Sequence, residues 1–360
     1  MRVGGAERVL QQMLNYFMNV NFEFQIDLVL AKKEGELLKG LNKDINIVDF
    51  NKKHVRDCLI DLVRYLKINR PNVFISVLDY ANIIASLAHI ISRCNSRLIL
   101  WEHSIISYHS QKTISKVWII RYFLIRIFYN HAHKIITVSK GAKDDLISNY
   151  SINNQKIKII NNPIDIQSVI SLSEAKVKVP CINYKNENYI VSVGRLATVK
   201  NYKLLIEAFS KLSKIFNYKL VIIGDGPEYQ NLQKQITGLN LENRIILTGF
   251  LENPYPLIKN ANVFVISSKW EGFPLVLLEA LALKRQIVST DSPSGPREIL
   301  DNGKLNLMVP VDNSDALSNG ILQILDGEIK FDEDLLLQRA SEFRLEKKCN
   351  EFMKFILRCK

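Results

Sequence analysis

Apolar and polar positions along the chain fall into two alternating textures. Short β-branched runs closed by Gly, Ser, Asn or Pro recur between longer stretches in which apolar residues return every three or four positions. The first texture predicts buried strands and the second amphipathic helices, and their alternation predicts parallel βαβ units. In the first half, strands are expected near 24–30, 45–49, 72–77, 97–101 and 134–139, and helices over 4–16, 55–68, 79–91, 112–130 and 141–149. An Asn161-Asn-Pro turn closes this series. A stretch without clear period, 169–187, reads as a linker. A second series follows, with strands near 189–193, 220–223, 245–247, 261–266, 287–289 and 306–309, and a basic amphipathic tail over 339–357. The division expected is therefore 1–168, linker 169–187, 188–335 and a tail 336–360. The fold expected is two facing Rossmann-like, doubly wound parallel-sheet domains, with ligands at the carboxyl ends of the strands.

One stretch carries the densest candidate chemistry. The run Ala261–Ile266 delivers Glu271 at the carboxyl end of a strand. Gly272 allows close backbone approach there, and Pro274 suits the first turn of a helix. Glu279 lies about one and a half turns into that helix and is expected on its ligand edge. Two carboxylates eight residues apart thus flank a helix N-terminus able to take a phosphate. The plainer reading is a strand-loop-helix with two surface glutamates. Arg195 and Lys200, on a loop after the strand 189–193, would neutralise a diphosphate. In the first half, Gly4-Gly5 opens a helix, and the strand 97–101 ends in Glu102-His103, where His103 either serves a reacting centre or caps a loop.

Composition changes the picture in three ways. Five scattered cysteines without a C-x-x-C spacing argue against a disulfide frame or a cysteine metal site. The start Met1-Arg-Val-Gly-Gly has no apolar core of a signal peptide, and no uncharged run approaches a membrane span. Residues 1–168 hold 23 basic and 14 acidic side chains, so most of the net +12 lies in the first half and points to an anionic partner. The helix 112–130 sets Lys116, Arg121 and Arg126 among Trp118, Tyr122, Phe123, Phe128 and Tyr129. It fits either a membrane-interface helix with snorkelling cations or a core helix with a wet edge. The cations form no continuous stripe with stacking aromatics, which disfavours nucleic acid.

The motifs S-V-G-R-L-x(3)-K-N, G-D-G-P-E, L-T-G-F, W-E-G-F-P-L-V-L-L-E-A and S-G-P-R-E-I-L, over about 4–310, resemble those of retaining glycosyltransferase family 4, the group 1 glycosyltransferases of GT-B fold. The resemblance implies transfer of a hexose or N-acetylhexosamine from a nucleotide sugar, expected to be UDP-linked, with retention of configuration. By similarity, Glu271 contacts donor-sugar hydroxyls and Glu279 the ribose, while Arg195 and Lys200 hold the diphosphate. The backbone at Gly272, Phe273, Pro274, Leu275 and Val276 lines sugar and phosphates, and Gly249 and Phe250 lie near the base. Gly4 and Gly5 face the phosphates, His103 sits near the reacting centre, and the tail helix packs back on the first domain. No cofactor and no metal are expected, and Asp332-Glu-Asp334, the only D-x-D candidate, reads as a helix cap. The implied partners are the nucleotide-sugar donor, a lipid-linked glycan acceptor of bacterial surface polysaccharide (O-antigen or capsule) and the inner face of the cytoplasmic membrane, met through the basic first domain. A nucleotide-sugar 2-epimerase of the same fold, or a truncated binder without turnover, are the alternatives. Family members place a strand before the glycine turn. It is absent here, from a misassigned start or a truncated gene product, so the first sheet is expected to lack its first strand and to be less stable for it.

Overall fold

The computed structural model describes residues 4–20, 24–110, 116–180 and 182–358. The chain divides into two compact units, Met1–Pro163 with Leu345–Lys360, and Ile164–Arg344. The first unit runs α1 (Gly5–Asn19), β1 (Asp27–Leu30), β2 (Asn46–Asp49), α2 (Leu59–Asn69), β3 (Val73–Val77), α3 (Asp79–Ser92), β4 (Arg97–Glu102), α4 (Ile106–Ser110), α5 (Lys116–His131), β5 (Lys134–Thr137), α6 (Lys140–Tyr150) and β6 (Ile157–Ile159). Every strand pair of this unit among the described residues is parallel, as the long crossover connections between successive strands allow.

The first unit has two sheets among the described residues, β1-β2 and β3-β4-β5-β6. No ladder joins β1 to β3, although Val29 of β1 and Phe74 of β3 pack on one cluster with Leu62 and Leu66 of α2. The interruption falls between two strands that share a helical cover. The expected lack of a strand ahead of the glycine turn concerns residues 1–3, which lie outside the described residues.

The central strand β4 is buried over Leu98–Glu102, and Leu98 and Leu100 pack with Ile125 and Tyr129 of α5 and Leu146 of α6. Helix α5 is therefore a core helix along one face. Its other face leaves Ile119, Ile120, Phe123 and Ile127 between 51% and 60% exposed. Arg121 departs from the snorkelling expectation. It is buried and paired with Asp79 at the start of α3, which draws the guanidinium away from solvent.

The second unit runs α7 (Ile166–Ser173), β7 (Tyr189–Val193), α8 (Tyr202–Leu212), β8 (Lys219–Ile223), α9 (Tyr229–Gly238), β9 (Ile245–Leu247), α10 (Tyr255–Asn260), β10 (Val263–Ile266), α11 (Leu275–Ala282), β11 (Ile287–Thr290), α12 (Gly295–Ile299), β12 (Leu307–Val309), α13 (Ser314–Leu325) and α14 (Glu333–Ser341). Its strands form one parallel sheet in the order β12-β11-β10-β7-β8-β9. Leu205 and Phe209 of α8, Leu232 and Ile236 of α9 and Leu317 and Ile321 of α13 cover one face, packed on Ile190, Leu220, Ile222 and Val263.

Two expected boundaries are corrected. The break falls after Pro163 rather than at 168, because Asp165 caps α7 by accepting from the Ser168 amide (3.0 Å), and α7 belongs to the second unit instead of to a linker. The tail is two helices: α14 stays with the second unit, and α15 (Leu345–Arg358) joins the first. The Ile164 amide donates to the Phe343 carbonyl (2.9 Å), which pins the chain just before that change. Helix α15 packs on α1, with Phe352 stacked on Phe17 (6.1 Å between ring centres) and tilted against Trp101 (5.0 Å).

Candidate functional site

Strand order in the second unit reverses between β10 and β7, so the loops leaving those two strands diverge and open a crevice at their carboxyl ends. The sequence puts its candidate chemistry there. After β7, Gly194 and Arg195 lead into a 3-10 turn, Thr198–Lys200, and after β10 the serines Ser267 and Ser268 lead to Glu271. Register brings the strands together, with Val263 opposite Ile190 and Phe264 opposite Val191. Lys200 and Glu271 therefore meet, although 71 residues separate them in the chain.

The Lys200 ammonium donates to Glu271 Oε1 at 2.6 Å, and the Ser268 hydroxyl donates to the same oxygen at 2.6 Å. Their side chains are 21% and 12% exposed, so the pair sits in a hollow instead of on the surface. Ser192, Tyr202, Ser267 and Ser268 line it. The Ser267 hydroxyl donates to the Lys200 carbonyl (2.8 Å) and the Ser192 hydroxyl to the Val265 carbonyl (2.7 Å), which ties the two loops to the strand ends. Burial holds the Tyr202 phenol above its ordinary pKa, so it stays a neutral wall. Arg195 is exposed on the same loop.

The helix side is built on close backbone contact. Helix α11 starts at Leu275 after Pro274, and Phe273 is buried against Phe343 (5.5 Å between ring centres). A Cβ on Gly295 at the start of α12 would lie 2.5 Å from the Gly272 carbonyl oxygen and 2.7 Å from the Phe273 Cα. Only glycine lets α12 seat against the 272–274 turn. Leu275 and Val276 are half-buried there. Glu279, expected on the ligand edge, is 4% exposed and accepts from the Tyr255 hydroxyl at 3.1 Å. The apolar content of α11 buries the helix all round from Leu277 onward. Gly249 adopts φ 74° and its carbonyl accepts from the Gly224 amide (2.9 Å), while Phe250 is exposed beside it.

Gly4, Gly5 and His103 belong to the first unit. Gly4 is the extended residue before α1, and the Glu7 side chain lies against it. His103 follows β4, and its ring is tilted against Trp101 (4.6 Å). Both its ring nitrogens are buried with no hydrogen-bond partner among the described residues. Burial drives its pKa down to about 3, so the imidazole is neutral at physiological pH. Sequence reasoning missed the buttress beneath it. Glu102 accepts from the Ser104 amide (3.0 Å) and hydroxyl (2.8 Å) and from the Tyr129 hydroxyl (2.7 Å), which also bonds the Asn82 amide (3.0 Å). Burial pushes the Glu102 carboxyl above its usual range. The signal was there as a carboxylate closing the apolar run Leu98–Trp101.

Asp332, the first residue of the D-x-D candidate, accepts from the Asp334 (2.7 Å) and Leu335 (3.2 Å) amides and caps α14, as its position predicts.

With this geometry established, the chain matches two family models in tandem. The one described as Glycosyltransferase Family 4 covers residues 3–168 and the one described as Glycosyl transferases group 1 covers residues 177–338. It is 31% identical to the Campylobacter jejuni N-acetylgalactosamine-N,N'-diacetylbacillosaminyl-diphospho-undecaprenol 4-alpha-N-acetylgalactosaminyltransferase, over 98% of this chain and 96% of that one. The chain is a group 1 glycosyltransferase of family 4. A second relative of this glycosyltransferase is the Salmonella typhimurium lipopolysaccharide 1,6-galactosyltransferase, 23% identical over 92% of this chain and 89% of that one. Among solved structures, Anabaena HepE in complex with UDP and glucose superposes with a TM-score of 0.80, at 19% identity, over 99% of this chain and 96% of that one, which supports the GT-B fold.

Proposed function

We propose that this glycosyltransferase moves a hexosyl or N-acetylhexosaminyl group from a UDP-sugar to a hydroxyl of a lipid-linked glycan, with retention of configuration and without a metal. One observation carries the reading: an ammonium and a carboxylate converge in a hollow at the switch point of a doubly wound sheet. Lys200, with Arg195 on the same loop, supplies positive charge for a departing diphosphate, the work a divalent cation does elsewhere. Glu271 supplies acceptor oxygens for sugar hydroxyls, and Glu279 those for a ribose.

In the proposed step the C1–O bond to the diphosphate breaks as a C1–O bond to the acceptor forms on the same face. The acceptor proton passes to the departing phosphate oxygen, and the lysine and arginine hold the charge that develops. Neutral His103 serves as a hydrogen-bond partner for a sugar hydroxyl or for the reacting centre, not as a cation.

The lipid-linked acceptor and a membrane site of action draw support from the +9 surplus over residues 1–168 and from the exposed stripe on α5. They draw support too from the C. jejuni relative, whose name places its substrate on diphospho-undecaprenol.

The test is turnover of a UDP-sugar panel with undecaprenyl-diphosphate-linked glycans, with the anomeric coupling of the product read by NMR. An α-linked product from an α-linked donor is expected. A product of inverted configuration would refute the mechanism, and an epimerised nucleotide sugar formed without acceptor would refute the reaction class.

A further inference from the structure

At the carboxyl edge of the first unit's sheet, the side chains around Arg121 form an arrangement that none of the transferase motifs includes. Strand β3 ends at Val77, in register with Trp101 of β4, and the next amide, that of Leu78, donates to the Trp101 carbonyl (3.2 Å). Residues 78–80 therefore sit one strand over from the loop carrying His103. Leu78 holds φ 77° and ψ 144°, a conformation that costs a side-chain-bearing residue about 1–3 kcal/mol and that persists mainly at binding and catalytic sites.

Just beyond it, Asp79 anchors the buried Arg121 of α5. The guanidinium lies 4.5 Å from the centre of the Tyr80 ring and 4.5 Å from that of the Trp118 ring, and its Nη1 donates to the Tyr80 hydroxyl (3.3 Å). Asp79 also accepts from the Tyr80 amide (2.6 Å). Burying a cation at a sheet edge is costly unless it is paired, and here one carboxylate and two ring faces compensate it. Tyr80 is nevertheless 62% exposed. A large ring is thus held at a fixed tilt, one face on a cation and the other open, where an unconstrained surface tyrosine would be free to turn.

We propose that the Tyr80 ring, backed by Arg121, which also packs on Trp118, is the platform on which a pyranose ring of the acceptor glycan stacks. The chemistry fits a sugar: a pyranose offers a face of C–H bonds to an aromatic plane and hydroxyls at its rim to the tyrosine hydroxyl. A ring immobilised beforehand loses little entropy on binding. Placement fits an acceptor, because the platform shares a sheet edge with His103, the residue of the first unit proposed above to meet a sugar hydroxyl or the reacting centre. The proposal rests on the transferase reading above and names the acceptor side of it.

The experiment compares wild type with Tyr80→Leu, which keeps an apolar side chain but no plane, and Tyr80→Phe, which keeps the plane. Saturation-transfer NMR with methyl α-glycosides of galactose, N-acetylgalactosamine and glucose reads binding directly. Steady-state kinetics with a lipid-linked acceptor reads KM, and thermal shift with UDP-sugar reads the donor side. Expected are C–H saturation signals with wild type and Tyr80→Phe that vanish with Tyr80→Leu. An acceptor KM about ten-fold higher in Tyr80→Leu is also expected, as loss of one ring contact implies, with the donor-induced shift retained. No glycoside signal with wild type, or equal signals in all three proteins, overturns the platform. Absence of turnover in wild type alongside a Tyr80-dependent glycoside signal would instead count against the transferase reading and leave the platform standing.

Discussion

Replacing Glu271 by Gln separates the nucleotide from its sugar in a way that depends on the geometry of the hollow. In the free protein Lys200 is occupied, because its ammonium donates to Glu271 at 2.6 Å in a site where the two side chains are 21% and 12% exposed. A diphosphate must draw Lys200 away from that carboxylate, and the cost is the net worth of a charged hydrogen bond, about 1.5–3 kcal/mol, partly offset by what solvent returns. Glutamine keeps the shape and still accepts from Ser268, yet holds Lys200 far less strongly. UDP alone, with no sugar to lose contact with the carboxylate, is therefore expected to bind the variant more tightly, by roughly 5- to 30-fold for about 1–2 kcal/mol released. UDP-sugar loses its charged hydroxyl acceptor, so the margin by which the sugar improves on UDP shrinks by about 10- to 150-fold. Isothermal titration of UDP and UDP-sugar against both proteins measures the two numbers. Weaker UDP binding in the variant, or an unchanged sugar margin, would refute the idea that Lys200 serves phosphate and Glu271 serves sugar.

Four further outcomes follow from particular contacts. Gly295→Ala drives a Cβ against the Gly272 carbonyl and is expected to cost about 1–3 kcal/mol, lowering Tm by roughly 2–10 °C with weaker donor binding, whereas Gly238→Ala, with open space around it, does neither. His103 has a folded pKa of about 3 against an unfolded value near 6.5, so its contribution to stability is complete above pH 6.5 and is lost as pH falls from there toward 3. At pH 5 the loss is about 2 kcal/mol, and a His103→Phe variant melted across the same range should be that much flatter; identical pH profiles would contradict the buried neutral imidazole. His131 and His133, their pKa values lowered by burial, act in the same direction. Asp332→Ala is expected to lower stability by about 1 kcal/mol through loss of the α14 cap while turnover stays unchanged, and turnover is also expected to survive EDTA; loss of activity in either case would make the carboxylates metal ligands. Phe123→Ser with Ile127→Ser is expected to reduce co-sedimentation with anionic vesicles about ten-fold without lowering Tm, since the side chains are 53% and 60% exposed; unchanged sedimentation would remove α5 from the membrane contact.

How much of this was legible in the sequence depends on range. Elements with a strong period, such as the buried strands Val263–Ile266 and Tyr189–Val193, stood out because burial on both faces leaves a continuous apolar run. The Lys200–Glu271 pairing was expected only as proximity, since each residue follows its own strand and the strand order that joins them is not written in local pattern. The helix around Arg121 left two readings open for the same reason, and the core helix with a wet edge is the one found. A cation every five residues on an aromatic helix looks like snorkelling, and only the position of Asp79 at the end of another strand turns Arg121 inward. Glu279 was expected on the ligand edge because a polar residue in an apolar helix marks the side away from the sheet; its burial was not legible, since Tyr255, from a helix the pattern did not reveal, covers it. The segment 166–173 lost its helix to a linker reading because its serines hide a short apolar stripe of Ile166 and Val169.

The central claim is that an activated sugar is held in the second unit by the two side chains that meet at its switch point. The most direct measurement is a thermal-shift panel of nucleotide sugars on wild type and on Lys200→Ala. The account predicts that at least one UDP-sugar raises the wild-type Tm and that the rise disappears in the variant. A rise of the same size in Lys200→Ala would contradict it.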